Sequence, residues 1–415
     1  MALLQTKPVV PDTKRRKVEA ALDEKPMSII KRKIQEGIED SFLVVDLGEA
    51  LRRVEMWEKH LPDVKPFYAV KSCPDPELLK ALLQLGVNFD CASKGEIQAI
   101  LKLGADPSRI IYANPCKQPS HARFARDRKV LKTTFDNRAE LAKCHAHFSN
   151  AELFIRIFPD DSSSKVPFSS KFGADIGDCS LDLLERAKDF GLNVMGISFH
   201  VGSDCLEPTS YAETIRRSRI VYDQAKTLGF NITTLDIGGG MPGARNDKEF
   251  IKIAAAIRKA VDTHYPEGID LIAEPGRFFS ASTMTLATSI IAKRIEEDSF
   301  MYYLNDGVFK SFSEGAYIDA IKYHPNVLQR RSSSKELHRF TLWGPALGAK
   351  DKINTLDSLR LPELFVGDWL YFNNMGAYSV CFNIKFNGFE QSPRFYTNTE
   401  LKKFLKRANN QSKSL

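Results

Sequence analysis

A chain of 415 residues with 43% hydrophobic and 27% charged side chains has room for two or three domains. Its balance is that of an ordinary globular protein, not a disordered or fibrous one. No run of about 18 uninterrupted apolar residues offers a membrane span, and seven cysteines, an odd number without metal-type pairing, fit reduced thiols better than a disulfide framework. Much of the formal charge of +7 lies in two terminal clusters, Lys14-Arg15-Arg16-Lys17 and Lys402-Lys403 to Lys406-Arg407; these read as solvated, mobile ends, so no nucleic-acid partner is expected.

Met1-Ala2-Leu3-Leu4 runs at once into polar residues and Pro8, which is not the pattern of a secretory signal, so a cytoplasmic location is expected. Lys14–Lys17, following Pro11, also resembles a short nuclear-import signal. Residues 1–45 are expected to form this basic tail and a strand, starting in the run Phe42–Leu47, that joins a second domain.

Between Pro66 and Arg277, short β-rich runs alternate with amphipathic helical patterns, as parallel strands with crossover helices do. The expected strands are Phe67–Lys71, Phe89–Ser93, Ile110–Asn114, Thr133–Asp136, Leu153–Ile157, Ile197–Gly202, Thr234–Gly238 and Leu271–Pro275. Glu77–Leu85, Gly95–Leu103, Leu181–Phe190, Tyr211–Leu228 and Phe250–His264 place apolar residues three and four apart, as helices on a barrel exterior should. Several stop at a glycine, such as Gly86 or Gly229, where a left-handed cap carries no Cβ penalty. Eight such strands predict an α/β fold, a (β/α)8 TIM-like barrel over residues 46–281. From 282 to 415 the texture changes to β-branched and aromatic runs, Thr283–Ala292, Met301–Leu304, Phe340–Trp343, Trp369–Phe372 and Ser379–Phe386, with few convincing helices. A second, mainly antiparallel β-domain is expected there.

Barrel active sites form at the C-terminal ends of strands, and the residues there are strongly polar: Lys71, Asp90, Arg156, His200 with Ser203, Gly238-Gly239-Gly240, and Glu274 with Gly276 and Arg277. A lysine closing the buried run Pro66–Val70 can form a Schiff base once its surroundings lower the amine pKa; otherwise it is a strand-end lysine snorkelling to water. Glycines 238–240 let backbone N–H groups approach a phosphate, with Gly276 and Arg277 one strand away, although a tight turn also explains three glycines. Glu274 can face a pyridine nitrogen and keep it protonated, or pair with Arg277 or Arg156. His200 can stack on a flat ring or be a hydrogen-bonded core histidine. The cluster favours the functional reading over each bland one.

The segments Pro66–Lys71, Phe89–Lys94, Ile111–Gln118, Ser198–Ser203, Asp236–Gly240, Ala273–Arg277 and Asn374–Tyr378 resemble the eukaryotic ornithine decarboxylase family over roughly residues 40 to 395. The resemblance implies pyridoxal 5'-phosphate bound to Lys71, with Glu274 at the pyridine nitrogen and His200 stacked on the ring. It assigns phosphate contacts to Ser203, Gly240, Gly276, Arg277 and Tyr378, and places Asp90 and Arg156 along the other edge of the ring. It also implies a head-to-tail homodimer with shared active sites, in which Lys171 and Asp351 form an intersubunit ion pair, and a small amino-acid substrate.

The family carries a cysteine and then an aspartate after Trp-Gly-Pro-Thr, the first returning a proton to the α-carbon and the second binding the distal amine of ornithine. Here Leu347 and Gly348 stand in those places. The family's second amine-binding acid follows a tyrosine; here Tyr317 is followed by Ile318, with Asp319 one place later and pointing the other way on an extended backbone. Replacement is favoured over a one-residue slip that would restore the acid. A buried ammonium left unpaired costs roughly 3 to 5 kcal/mol, so a neutral amino acid, hydrophobic or thioether-bearing, is expected as substrate. Without the cysteine, protonation falls to water, to Lys71, or to the cofactor carbon, the last coupling decarboxylation to transamination. The alternatives are an inactive regulator of the antizyme-inhibitor type, an ornithine or lysine decarboxylase with a rearranged pocket, and a racemase-like barrel enzyme.

Overall fold

The computed structural model describes residues 23–159, 162–168, 170–243, 247–265, 268–297, 299–331 and 334–411; Lys14–Lys17 lie outside them. Strand β1 (Phe42–Asp46) precedes the barrel. The barrel is closed by β2 (Val64–Ala69), β3 (Asn88–Asp90), β4 (Ile110–Tyr112), β5 (Lys132–Phe135), β6 (Glu152–Arg156), β8 (Asn193–Ser198), β10 (Thr234–Asp236) and β11 (Asp270–Ala273), all parallel. A two-stranded ribbon, β7 (Ser164–Val166) with β9 (Ser203–Cys205), lies outside it.

Each expected strand is present, yet most end a few residues before the pattern predicts, because the polar residues leave the ladder to form the rim. Lys71, for example, sits in a 3-10 turn, Val70–Ser72. Side chains capture the helix starts: Asp75 accepts from the N–H groups of Glu77 and Leu78, and Ser93 from that of Glu96. Gly86 and Gly229 take φ of 89° and 90° at the helix ends, the left-handed cap expected of them. The helices Pro26–Gln35, Leu47–His60, Pro119–Asp127 and Arg138–His147 escaped the periodicity.

Period-two alternation sorts each barrel strand. Tyr68, Ile110 and Tyr112, Leu153 and Ile155, and Leu271 and Ala273 join the large core beneath the helices. Their neighbours Phe67, Ile111, Phe154 and Ile272 form a separate cluster that fills the barrel.

The second sheet takes β12 (Met284–Glu296), β13 (Ser299–Leu304), β14 (Asn326–Gln329), β15 (Leu337–Trp343), β16 (Lys352–Ile353), β17 (Leu361–Pro362), β18 (Trp369–Phe372) and β19 (Arg394–Thr397), together with β1. It is mainly antiparallel, with β1–β19 and β13–β15 parallel. β1 joins the two cores by the same alternation: Leu43 and Val45 pack into the large one, Phe42 and Val44 into a smaller one with Ile30 and Trp369.

Two expectations for this region are corrected. Ser379–Phe386 is not a strand but carries 3-10 turns at Val380–Phe382 and Phe386–Gly388, with the Ile384 N–H taken by the Phe309 carbonyl instead of a ladder. The basic C-terminal cluster is not a free tail either: Leu401–Gln411 is a helix that buries Phe404, and Lys403 and Arg407 pair with Glu55 and Glu58 on the helix Leu47–His60.

Candidate active site

The residues that continue the interior register past each strand end meet at the barrel mouth. On β11 the inward parity of Ile272 passes to Glu274, on β6 that of Phe154 passes to Arg156, and outward Leu235 and Phe89 leave Asp236 and Asp90 facing in. Lys71, in the 3-10 turn after β2, and His200, two residues past the end of β8, join them there.

Lys71 Nζ donates to Asp90 Oδ2 at 2.8 Å, while Asp90 Oδ1, also buried, has no partner. Burial works against the ammonium, but Asp90, Tyr378 and Glu274 outweigh it and raise the amine above its ordinary value. This reverses the expectation of a lowered amine pKa, because the direct contact with Asp90 and the neighbouring groups outweigh burial.

Glu274 is buried and its Oε1 has no hydrogen-bond partner. Burial first, then the neighbouring Asp236 carboxylate, pushes its pKa far up; Asp236 is likewise pushed up by burial, to about 7. Asp236 anchors its own loop by accepting the Gly238 N–H at 2.9 Å. Its place in this pair went unnoticed in the sequence, although Asp236 stands directly before the glycine motif.

His200 is held neutral by burial and then by the Arg156 and Lys71 charges. Its Nδ1 accepts the Gly202 N–H at 3.0 Å, and Phe168 meets the ring edge-on at 5.0 Å. The Arg156 guanidinium lies 5.0 Å from the centre of the Phe172 ring.

The glycines are dictated by close approach. A Cβ on Gly239 would stand 2.6 Å from the Glu274 carbonyl oxygen, and one on Gly240 would stand 2.5 Å from that of Gly202. On Gly238 the same addition would strike the Phe199 carbonyl, and on Gly276 it would come within 2.9 Å of Ser72 Cβ and 3.3 Å of Tyr378 Oη. Arg277 reaches Ser203 Oγ at 3.4 Å and lies 5.0 Å from the Tyr378 ring centre. Its ion-pair partner is neither Glu274 nor another rim acid but Glu314, from the short helix Glu314–Tyr317. Glu314 was not anticipated from the sequence.

The expected substrate-pocket residues lie on the β-domain, where Leu347 is 91% exposed, Tyr317 is exposed and Ile318 half-buried. The Asp319 side chain is 95% exposed and accepts from Lys322 at 3.0 Å. A Cβ on Gly348 would stand 2.9 Å from the Phe309 ring, which stacks on Phe386. Lys171 is exposed beside the Phe172 ring. Asp351 is only 1% exposed within the single chain, its two oxygens accepting the N–H groups of Val308 and Ala346, each at 2.7 Å.

The residues present fit pyridoxal phosphate at its aldehyde and ring ends. An amine stands at Lys71, Glu274 Oε1 lacks the donor that a pyridinium N–H would be, and the neutral His200 offers a flat face. Comparison with known proteins agrees. Residues 47–281 match the model described as pyridoxal-dependent decarboxylase, pyridoxal binding domain. A probable ornithine decarboxylase of Dictyostelium discoideum is 43% identical over 405 residues, 92% of this chain and 86% of the relative. An antizyme inhibitor 2 of Xenopus laevis is also 43% identical, over 86% of this chain and 81% of its own length. The solved arginine decarboxylase of Paramecium bursaria Chlorella virus, bound to agmatine, superposes with a TM-score of 0.85 at 34% identity, over 89% of this chain and all of its own.

The chain therefore belongs to the pyridoxal-dependent decarboxylase family of the ornithine decarboxylase type. Its cofactor is pyridoxal 5'-phosphate. Among the described residues no cluster of metal-ligating side chains and no helix long and apolar enough to cross a membrane is present.

Proposed function

We propose that this chain decarboxylates a neutral L-amino acid, hydrophobic or thioether-bearing, rather than ornithine. The observation that carries this reading is the direction of Asp319. In the single chain its carboxylate pairs with Lys322, and Ile318, Leu347 and Gly348 bring no charge of their own to a substrate ammonium. An unpaired buried ammonium costs several kcal/mol, of the order of 3 to 5, which weighs against a diamino acid.

When bound, the cofactor supplies an electron-poor ring that accepts the electron pair left at the α-carbon as the C–C bond to the carboxylate breaks and CO2 departs. Lys71 would hold the cofactor at its aldehyde carbon. Glu274, supported by Asp236, keeps a proton at the ring nitrogen. His200, uncharged, would offer its flat face to the ring without opposing a positive nitrogen, and Asp90 and Arg156 would line the same site. Ser203, Arg277, Tyr378 and the glycines at 238–240 and 276 bind the phosphate end. With Leu347 in the cysteine's place, Lys71, held by Asp90 at 2.8 Å, would be the group that returns a proton to the α-carbon. The active form is a cytoplasmic homodimer in which Leu347 and Gly348 complete the partner's pocket and Lys171 lies at the interface with Asp351.

Carbon dioxide release from the twenty standard amino acids and ornithine tests this reading. One or more neutral substrates should lead, and faster release from ornithine or lysine than from every neutral amino acid sinks it. The similarity to antizyme inhibitor 2 and the absent cysteine favour a second reading, a non-catalytic regulator. The Lys71–Asp90 pair and the unsatisfied Glu274 oxygen weigh against it, since a regulator needs neither.

A further inference from the structure

Glu314 has no role in the chemistry above, yet it occupies the guanidinium assigned to the cofactor's phosphate. The two side chains are buried together, 13% and 6% exposed for Arg277 and Glu314, and both guanidinium terminal nitrogens donate to the carboxylate, Nη1 at 3.2 Å. Lys165, which lines the same cavity, is paired with Asp204. The phosphate end of the site thus presents two balanced ion pairs instead of a net positive charge. Arg277 Nε is buried without a partner.

The short helix is held where it can maintain this contact. The Gly315 N–H donates to Tyr323 Oη at 3.1 Å, and the Ile318 N–H closes the turn on the Glu314 carbonyl at 3.1 Å. Arg277 and Glu314 line a cavity of about 480 Å3 with Lys322 and His324 on its wall. A displaced Glu314 carboxylate has room in this cavity and meets on its wall Lys322, an ammonium that now pairs with the exposed Asp319.

We propose that Glu314 is a built-in competitor for the cofactor's phosphate: it occupies Arg277 until the phosphate displaces it towards Lys322, which makes cofactor retention weak and reversible. The inference rests on the assignment of Arg277 and Ser203 to the phosphate and is independent of the substrate. A dianion entering beside a buried carboxylate must break an existing charge pair, and the carboxylate opposes it throughout.

Equilibrium binding of pyridoxal phosphate and of pyridoxal, which lacks the phosphate, tests it in the full chain, with wild type, Glu314→Gln, Glu314→Ala and Arg277→Met. Both Glu314 variants should bind pyridoxal phosphate at least about tenfold more tightly than wild type, with pyridoxal affinity unchanged. Their melting temperatures should rise more on adding pyridoxal phosphate than the wild type's does, a response that a purely structural role would not produce. Equal or weaker binding of pyridoxal phosphate by the variants, or equal tightening of both ligands, overturns the proposal. If Arg277→Met binds pyridoxal phosphate as well as wild type, the phosphate assignment falls and the competitor with it, while the substrate reading is still judged by carbon dioxide release alone.

Discussion

Asp236 and Glu274, at the ends of adjacent parallel strands, bring two buried carboxyl groups together at the barrel mouth, and the raised proton affinity of both follows from that proximity and from burial. Like charges this close in a dry site do not both ionise. A proton retained here is available to a pyridine nitrogen, so the pair does more than Glu274 alone.

The pair gives the cofactor-free protein a definite pH dependence. Asp236, ordinarily at 3.8, is pushed up to about 7, so the folded state binds a proton across that window that the unfolded state releases. The contribution is fully present below about pH 4 and is lost as pH rises through about 7. Melting temperatures measured from pH 5 to 8 should fall with rising pH, and Asp236→Asn should flatten the slope; an unchanged slope in the variant refutes the assignment.

Lys71→Ala should abolish the near-visible absorbance of the bound cofactor and lower turnover by more than about a thousandfold. It also strands the buried Asp90 carboxylate that now accepts the 2.8 Å hydrogen bond. Lys71→Ala with Asp90→Asn should therefore melt higher than Lys71→Ala alone, which paired thermal scans will show.

Restoring an acid to the pocket should shift specificity in a site-dependent way. Ile318→Asp places a carboxylate on the half-buried position and should raise kcat/KM for ornithine relative to the best neutral substrate by at least about tenfold. Gly348→Asp should instead destabilise the fold by about 1 to 3 kcal/mol, because its Cβ meets the Phe309 ring. Kinetics on both substrates and denaturant midpoints separate the two outcomes.

The C-terminal helix offers a test of charge against burial. Its ion pairs to Glu55 and Glu58 involve partly exposed side chains, each worth at most about 1 kcal/mol. Phe404 is 5% exposed, and Phe404→Ala should cost about 3 to 5 kcal/mol. Removing both Lys403 and Arg407 charges should therefore lower the midpoint less than the single apolar truncation.

Much of this was legible in the chain. Alternation of period two and of three to four residues marked all eight barrel strands and five of their helices, and strand-end polarity marked Lys71, Asp90, Glu274 and Arg277. The helices Pro119–Asp127 and Arg138–His147 were missed because their apolar faces are narrow: only Ala122 and Ala125 are buried in the first, and Leu141, Cys144 and the charged Glu140 in the second. Ser379–Phe386 was misread because its β-branched and aromatic residues pack as turns against Phe309 rather than in a ladder.

The sequence by itself determined the barrel and the cofactor chemistry, since each is written in local pattern or in the identity of single residues. Tertiary structure alone decided which charges pair: Asp236 with Glu274, Arg277 with Glu314 across 37 positions, and Asp319 with Lys322 in solvent. Periodicity places a side chain on a face, but the partner it meets depends on how separate elements pack, and in a buried site that partner sets the proton affinity and the charge a ligand encounters.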